Sequence, residues 1–168
     1  VGTSDKPSSE LADLLCLETV LPYLEGGDPD GVITEMVDHL VSVGRLSADL
    51  RNRAIDSLLE REERTSTGIG AGVAIPHAFL EEISEVQTVF GRSEKGLDFQ
   101  SIDNSSVEFV VLFLVPENQH QLHLKTLASI ARLFLQEQVS EQLRAASVAS
   151  EILEVFENGR ASKPDREA

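Results

Sequence analysis

A layered α/β domain, its mixed β-sheet covered by helices on both faces, is the fold class this sequence predicts, and three features predict it. Helical periodicity appears before, between and after short apolar runs of strand length. One of those runs, VEFVVLFLV at residues 107–115, is nearly continuous in Val, Phe and Leu, as a strand buried on both faces should be. The chain has 168 residues, 41% of them hydrophobic, which suits one core of ordinary size. No internal repeat, low-complexity tract or long linker divides it. A single domain over residues 1–168 is expected, with its core at about 10–157. Strand order is not legible from these signals.

Taken in order, residues 9–16 read as a short helix and 20–24 as a brief extended piece interrupted by Pro22. Asp28 and Pro29 supply a cap and a first-turn proline, after which Val32, Ile33, Met36, Val37, Leu40 and Val41 keep helical spacing until Gly44. Ser47 caps a second helix that presents Leu50, Ala54, Ile55, Leu58 and Leu59 inward and runs to about Glu62. Thr67, Gly68, Gly70 and Gly72 predict a flexible loop leading into a strand, Val73, Ala74 and Ile75, which Pro76 stops. Residues 86–91 and 107–115 are further strands. Pro116 ends the latter, and from about Asn118 the residues Leu124, Leu127, Ala128, Ala131, Phe134 and Leu135 recur as a helix should. Shorter helices over 140–146 and 148–158 complete the chain. The first eight and last ten residues are polar, with turn or breaker residues, and are expected to fray.

Charge and composition exclude several roles. The formal net charge is −15, from 29 acidic against 14 basic residues, so the surface repels a phosphate backbone and nucleic acid is not an expected partner. The same field draws in a basic protein as readily as it keeps the chain soluble. No run of about 18 apolar residues is available to enter a bilayer, and the opening VGTSDKPSSE lacks the basic start and apolar centre of a signal peptide. Direct membrane insertion is therefore not expected. Cys16, the one cysteine, cannot form an internal disulfide, which fits a reducing compartment, and a cytoplasmic location is the expectation. It reads as a small core residue of the first helix.

Four histidines are the candidates for chemistry. His39, inside the Asp28 helix, reads as structural. His77 follows Pro76 at the end of a strand reached through a glycine-rich stretch, where open α/β sheets place ligands. His123 lies in the second turn of a helix, and its side chain leans back over first-turn N–H groups that favour an anion. His120 and His123, three apart, could share a metal with Glu117 or a third histidine, although no H-E-x-x-H pattern appears. Gly68, Gly70 and Gly72 do not spell a nucleotide-binding loop and read as a chain reversal needing positive backbone angles. Ser66 and Ser101 have no nucleophile-elbow pattern around them.

As one string, residues 59–78, LEREERTSTGIGAGVAIPHA, resemble the signature around the phosphorylated histidine of enzyme IIA domains of the bacterial phosphotransferase system, of the fructose, mannitol and nitrogen-regulatory type. Residues 96–134, GLDFQSIDNSSVEFVVLFLVPENQHQLHLKTLASIARLF, look like the second half of that family in the same order. The likeness covers roughly residues 10–157. It implies that His77 of the I-P-H motif is the phosphoryl acceptor, that His123 helps to hold the phosphoryl group, and that Arg61 of the E-R-E motif faces it. Arg64 is the competing cation, off the family position. The donor so implied is the histidine-containing phosphocarrier protein, and the acceptor an enzyme IIB or a regulated target protein; no metal or organic cofactor is needed. Phe79, Leu80, Glu81 and Glu82 depart from the pattern, in a stretch that often carries a lysine or arginine. With no transport domain in the sequence, the chain is expected to work with separate proteins. The I-D-N run at residues 102–104 is similar to the nitrogen-regulatory branch, which leaves open a purely regulatory module that feeds no transporter. A metal-dependent hydrolase built on His77, His120 and His123 is the third expectation.

Overall fold

The structure, a computed structural model, describes residues 10–161. The fraying expected of the first eight residues lies outside that span, as does most of that expected of the last ten. Helix α1 (Leu11–Leu14) and a 3-10 turn (Leu17–Thr19) lead to strand β1 (Val20–Leu21), which halts at Pro22. Helix α2 (Pro29–Ser42) starts where the Asp28 carboxylate accepts the Gly31 N–H at 2.7 Å, and it ends before Gly44, whose φ of 76° turns the chain away. The Ser47 hydroxyl caps a 3-10 turn (Ala48–Leu50) that runs directly into α3 (Arg51–Arg64). Next come β2 (Gly68–Gly70), β3 (Val73–Ala74), β4 (His77–Leu80), β5 (Gln87–Leu97) and β6 (Val107–Pro116). Helices α4 (His120–Phe134), α5 (Glu137–Ala145) and α6 (Ala149–Ala161) follow.

Strand β6 is the centre of a mixed six-stranded sheet ordered β1-β5-β6-β3-β2, with β4 also paired to β6. On one side β5 runs antiparallel to β6, and β1 lies parallel to β5. On the other, β3 and β4 both run parallel to β6, while β2 closes the edge as a hairpin with β3. Every residue from Phe109 to Val115 is fully buried, because β6 is covered on both faces. Val110, Leu112 and Leu114 pack with Ile33, Met36 and Leu40 of α2 and Leu58 of α3. Phe109, Val111 and Phe113 point the other way, into a core with Ile130 of α4, Leu143 of α5 and Phe156 of α6. The expected layering, helices on both faces of a mixed sheet, is what the chain adopts.

Four departures from the expected elements have physical causes. The glycine stretch is a strand, β2, and the reversal is confined to Gly70, Ala71 and Gly72, all at positive φ (89°, 55° and 77°). Pro76 interrupts but does not stop its strand: β3 and β4 keep one register against β6, Val73 facing Phe109 and His77 facing Phe113. The missing proline N–H is tolerated because Pro76 still offers its carbonyl to the Phe113 N–H at 2.9 Å. Strand β5 extends past Gly91 to Leu97 despite Arg92, Glu94 and Lys95. Arg92 is buried there because its guanidinium donates to the carbonyls of Pro22 at 3.0 Å, of Leu143 at 2.6 Å and of Ala146. Finally, α5 begins three residues before Ser140, and α6 continues three beyond Asn158.

Candidate functional site

His77 opens β4 directly opposite Phe113 of the central strand, which fixes the position of its backbone. Its Nδ1 lies 2.9 Å from the carbonyl oxygen of Ile75. A carbonyl can only accept, so the ring carries its proton on Nδ1 and keeps the Nε2 lone pair free. Burial pushes the pKa of His77 down; the Ile75 carbonyl opposes this, and the charge of Arg61 adds to it. The half-buried ring is thus neutral near pH 7 and is a competent nucleophile.

His123, from the second turn of α4, brings its ring centroid to 4.7 Å from that of His77, tilted by 51°. The two residues are far apart in sequence, but α4 returns along the sheet from the end of β6 and sets them side by side. Phe113 and Phe79 meet the His123 ring edge-on at 5.7 and 5.4 Å. His123 is 5% exposed, and its Nε2 is buried without a hydrogen-bond partner. Desolvation first, then the charges of His77 and His120, lower its pKa to about 4.

Arg61 stands in the last turn of α3, where its Nη1 donates to the Thr65 carbonyl at 2.7 Å. Among the described residues it forms no ion pair. Arg64 differs, since its guanidinium is 2.8 Å from the Glu60 carboxylate in an exposed pair. The neighbouring Glu62 accepts both the N–H and the hydroxyl of Thr67, at 3.0 and 2.6 Å, tying the end of α3 to the start of β2. A cavity of about 340 Å³ opens between these elements, shared by Arg61 and His77 and walled by Ser66, Ile69, Leu127 and Leu135. Helix α4 lines it with Leu127, Ala131 and Phe134, later than the first turn expected to act as an anion shelf.

The other expected candidates divide cleanly. His39 bonds through Nε2 to the Glu18 carbonyl and holds α2 to the chain before β1. His120 is exposed and stacks on Phe79, centroids 3.9 Å apart and planes at 16°. Among the described residues no group of three or more His, Cys, Asp or Glu side chains is placed to hold a metal ion. Phe79 is the residue that sequence reasoning undervalues: it contacts His77, His120 and His123. The available signal is its position two residues after His77 in one strand, which puts both on the same face.

A testable consequence concerns acid stability. The folded-state pKa of His123 lies below the ordinary histidine value, so the unfolded chain binds the proton more tightly. The buried neutral ring therefore favours folding above about pH 6.5, and that contribution is lost as pH falls towards about 4. The loss expected at pH 4.5 is about 2–3 kcal/mol. Urea titrations at pH 7.5 and 4.5 should show it in the wild type and show it much reduced in His123→Gln. An equal loss in both proteins would mean that carboxylates alone set the acid limit.

Comparison with known proteins gives concordant matches. The family model described as phosphoenolpyruvate-dependent sugar phosphotransferase system, EIIA 2, matches residues 14–159. A nitrogen regulatory protein of Bradyrhizobium diazoefficiens is 33% identical over 146 residues, covering 87% of this chain and 94% of that protein. The fructose-specific EIIABC component of Bacillus subtilis is 32% identical over 147 residues, or 88% of this chain, and the chain spans 23% of its length. The crystal structure of the nitrogen regulatory protein IIA-Ntr from Neisseria meningitidis superimposes with a TM-score of 0.78 at 29% identity, covering 86% of this chain and 97% of that one. No helix among the described residues is long and apolar enough to cross a membrane.

Proposed function

Because the chain belongs to the EIIA 2 family of the phosphoenolpyruvate-dependent sugar phosphotransferase system, we propose that it accepts a phosphoryl group on Nε2 of His77 and passes it on. The observation that carries this reading is a neutral His77, its Nδ1 committed to Ile75 and a second imidazole 4.7 Å away, sharing its cavity with an Arg61 guanidinium that has no carboxylate partner among the described residues. The donor is the histidine-containing phosphocarrier protein. In-line attack by Nε2 forms the new P–N bond as the donor's P–N bond breaks, and the donor imidazole leaves with the electron pair. Arg61 neutralises charge on the equatorial oxygens, and His123 stabilises the group once it is bound. Both contacts must be firm enough to hold the phosphoryl group and loose enough to release it. Neither a metal nor an organic cofactor enters this scheme, which operates in the cytoplasm on a single folded domain.

The acceptor is an enzyme IIB or a regulated target. A purely regulatory role, in which the charge of phospho-His77 switches binding to another protein, is favoured by the near full-length match to a nitrogen regulatory protein. The test is incubation with the two general phosphotransferase proteins and labelled phosphoenolpyruvate. Acid-labile, base-stable phosphate in the peptide containing His77 is the expected result, and its absence would reject the reading. Subsequent chase of the label into an enzyme IIB identifies transport; phosphorylation-dependent capture without chase identifies regulation.

A further inference from the structure

His123 carries a polar atom whose burial folding alone does not explain. The ring is 5% exposed and its Nε2 is buried without a hydrogen-bond partner, an arrangement that costs stability unless a ligand later supplies the partner. Two phenyl rings maintain it. Phe113 of the central strand meets the imidazole at 5.7 Å and Phe79 of β4 meets it at 5.4 Å, both edge-on. Phe113 is fully buried and belongs to the core whatever the site does. Phe79 is only half-buried, at the margin of that core. Its backbone is fixed opposite Val115, and it shares one face of β4 with His77, whose ring it approaches to 6.4 Å. The exposed His120 lies flat against it, centroids 3.9 Å apart. His120 and His123 are three apart on α4, so one helix face grips the phenyl ring from two directions. The titratable groups acting on His123 are His77 of β4 and His120 of its own helix, with Arg61 of α3 acting on His77. Burial outweighs those charges in keeping the His123 ring neutral, and on the β4 side Phe79 provides that burial.

On the reading that His77 is the phosphoryl acceptor, we propose that Phe79 is a positioning residue for the transfer: clamped by His120, it holds the His123 ring beside His77 and keeps water from it, so that His123 meets the phosphoryl group already oriented and with a free ring nitrogen. Phe79 acts through His123 rather than on the phosphoryl group itself. The two histidines are restrained by different means. His77 is anchored by the bond between its Nδ1 and the Ile75 carbonyl. Nε2 of His123 has no such anchor, and packing takes the place of a hydrogen bond. A ring free to swing, or bonded to water, would have to be reordered and stripped of that water at each transfer in either direction, and the rate would fall accordingly.

Two measurements on the full chain compare the wild type with Phe79→Ala and Phe79→Tyr. Nitrogen shifts of ¹⁵N-histidine in the unphosphorylated protein follow the His123 ring. Its titration midpoint, about pH 4 in the wild type, should rise above about pH 5 in Phe79→Ala, a gain of about tenfold or more in proton affinity as water reaches the ring. Single-turnover transfer from the phosphorylated carrier protein, at saturating donor, should slow by about tenfold or more in Phe79→Ala. It should recover most of its rate in Phe79→Tyr, which keeps the ring. His120→Ala, which uncovers the phenyl face, should move both readouts in the same direction and less far. An unchanged His123 midpoint, or an unchanged rate at saturating donor, overturns the proposal. A defect seen only as weaker donor binding then gives Phe79 to the docking face, and a fall in stability alone gives it to the core; both leave the carrier function standing. A wild type that takes no phosphate on His77 removes the carrier reading itself, and the proposal with it, whatever Phe79 does to the ring.

Discussion

His77→Ala is expected to take up no phosphoryl group from the phosphorylated carrier while remaining folded. Labelling should vanish completely, because no neighbouring nitrogen can stand in for Nε2. His123 is 5% exposed and packed between Phe113 and Phe79, so a bulky donor cannot align with it. His120 is the accessible imidazole, and it lies stacked against Phe79, outside the cavity that holds Arg61. The structural cost of the substitution is small. His77 is half-buried at the start of a four-residue strand, and alanine there forgoes a single side-chain hydrogen bond, the one to the Ile75 carbonyl, at about 1 kcal/mol. Removing a ring that resists protonation also relieves a penalty at low pH. Label incorporation and thermal unfolding measured on the same preparation separate the two effects. Phosphate retained by the variant would transfer the acceptor role elsewhere, with His120 the first residue to map.

The parts of this architecture that sequence reasoning reaches are those in which side-chain chemistry and backbone geometry agree. Strand β6 is legible because both its faces are apolar, and α2 because Asp28, Pro29 and Gly44 mark its ends around a periodic core face. Strand β2 is not legible, since glycine lowers strand propensity and leaves no alternation to read. The second half of β5 is hidden by charge: Arg92 looks like a loop residue until three carbonyls from distant segments converge on it. The site divides in the same way. His77 stands out through its position after Pro76, but nothing in spacing alone joins it to His123 or Arg61. The register of β4 against β6 fixes His77, and the folded chain then sets the His123 ring of α4 beside it and brings Arg61 of α3 to the cavity it lines. Only the family resemblance anticipates it, and Phe79 reads as a departure from pattern until its three ring contacts give it a place.

Arg61→Ala should slow transfer onto His77 by about 10²–10³-fold, the range found when one preorganised donor to a developing charge is removed, or about 3–4 kcal/mol. The size of the effect follows from what Arg61 is free to do. In a chain with 29 acidic residues, an arginine without a carboxylate partner among the described residues has been kept from the commonest interaction open to it. Its hydrogen bond to the Thr65 carbonyl orients the guanidinium at the mouth of the His77 cavity and leaves other N–H groups for an anion. Arg64, committed to Glu60 and exposed, predicts the control: Arg64→Ala should transfer at the wild-type rate. Arg61→Lys should recover part of the rate, since it restores charge without the planar fork. Stability distinguishes this from a structural role, because a helix-end hydrogen bond to Thr65 accounts for only about 1 kcal/mol of folding. A loss of stability in the alanine variant several times larger than that, with transfer by the surviving folded fraction unchanged, would assign Arg61 to holding the turn between α3 and β2. A slow but fully folded variant assigns it to the phosphoryl group.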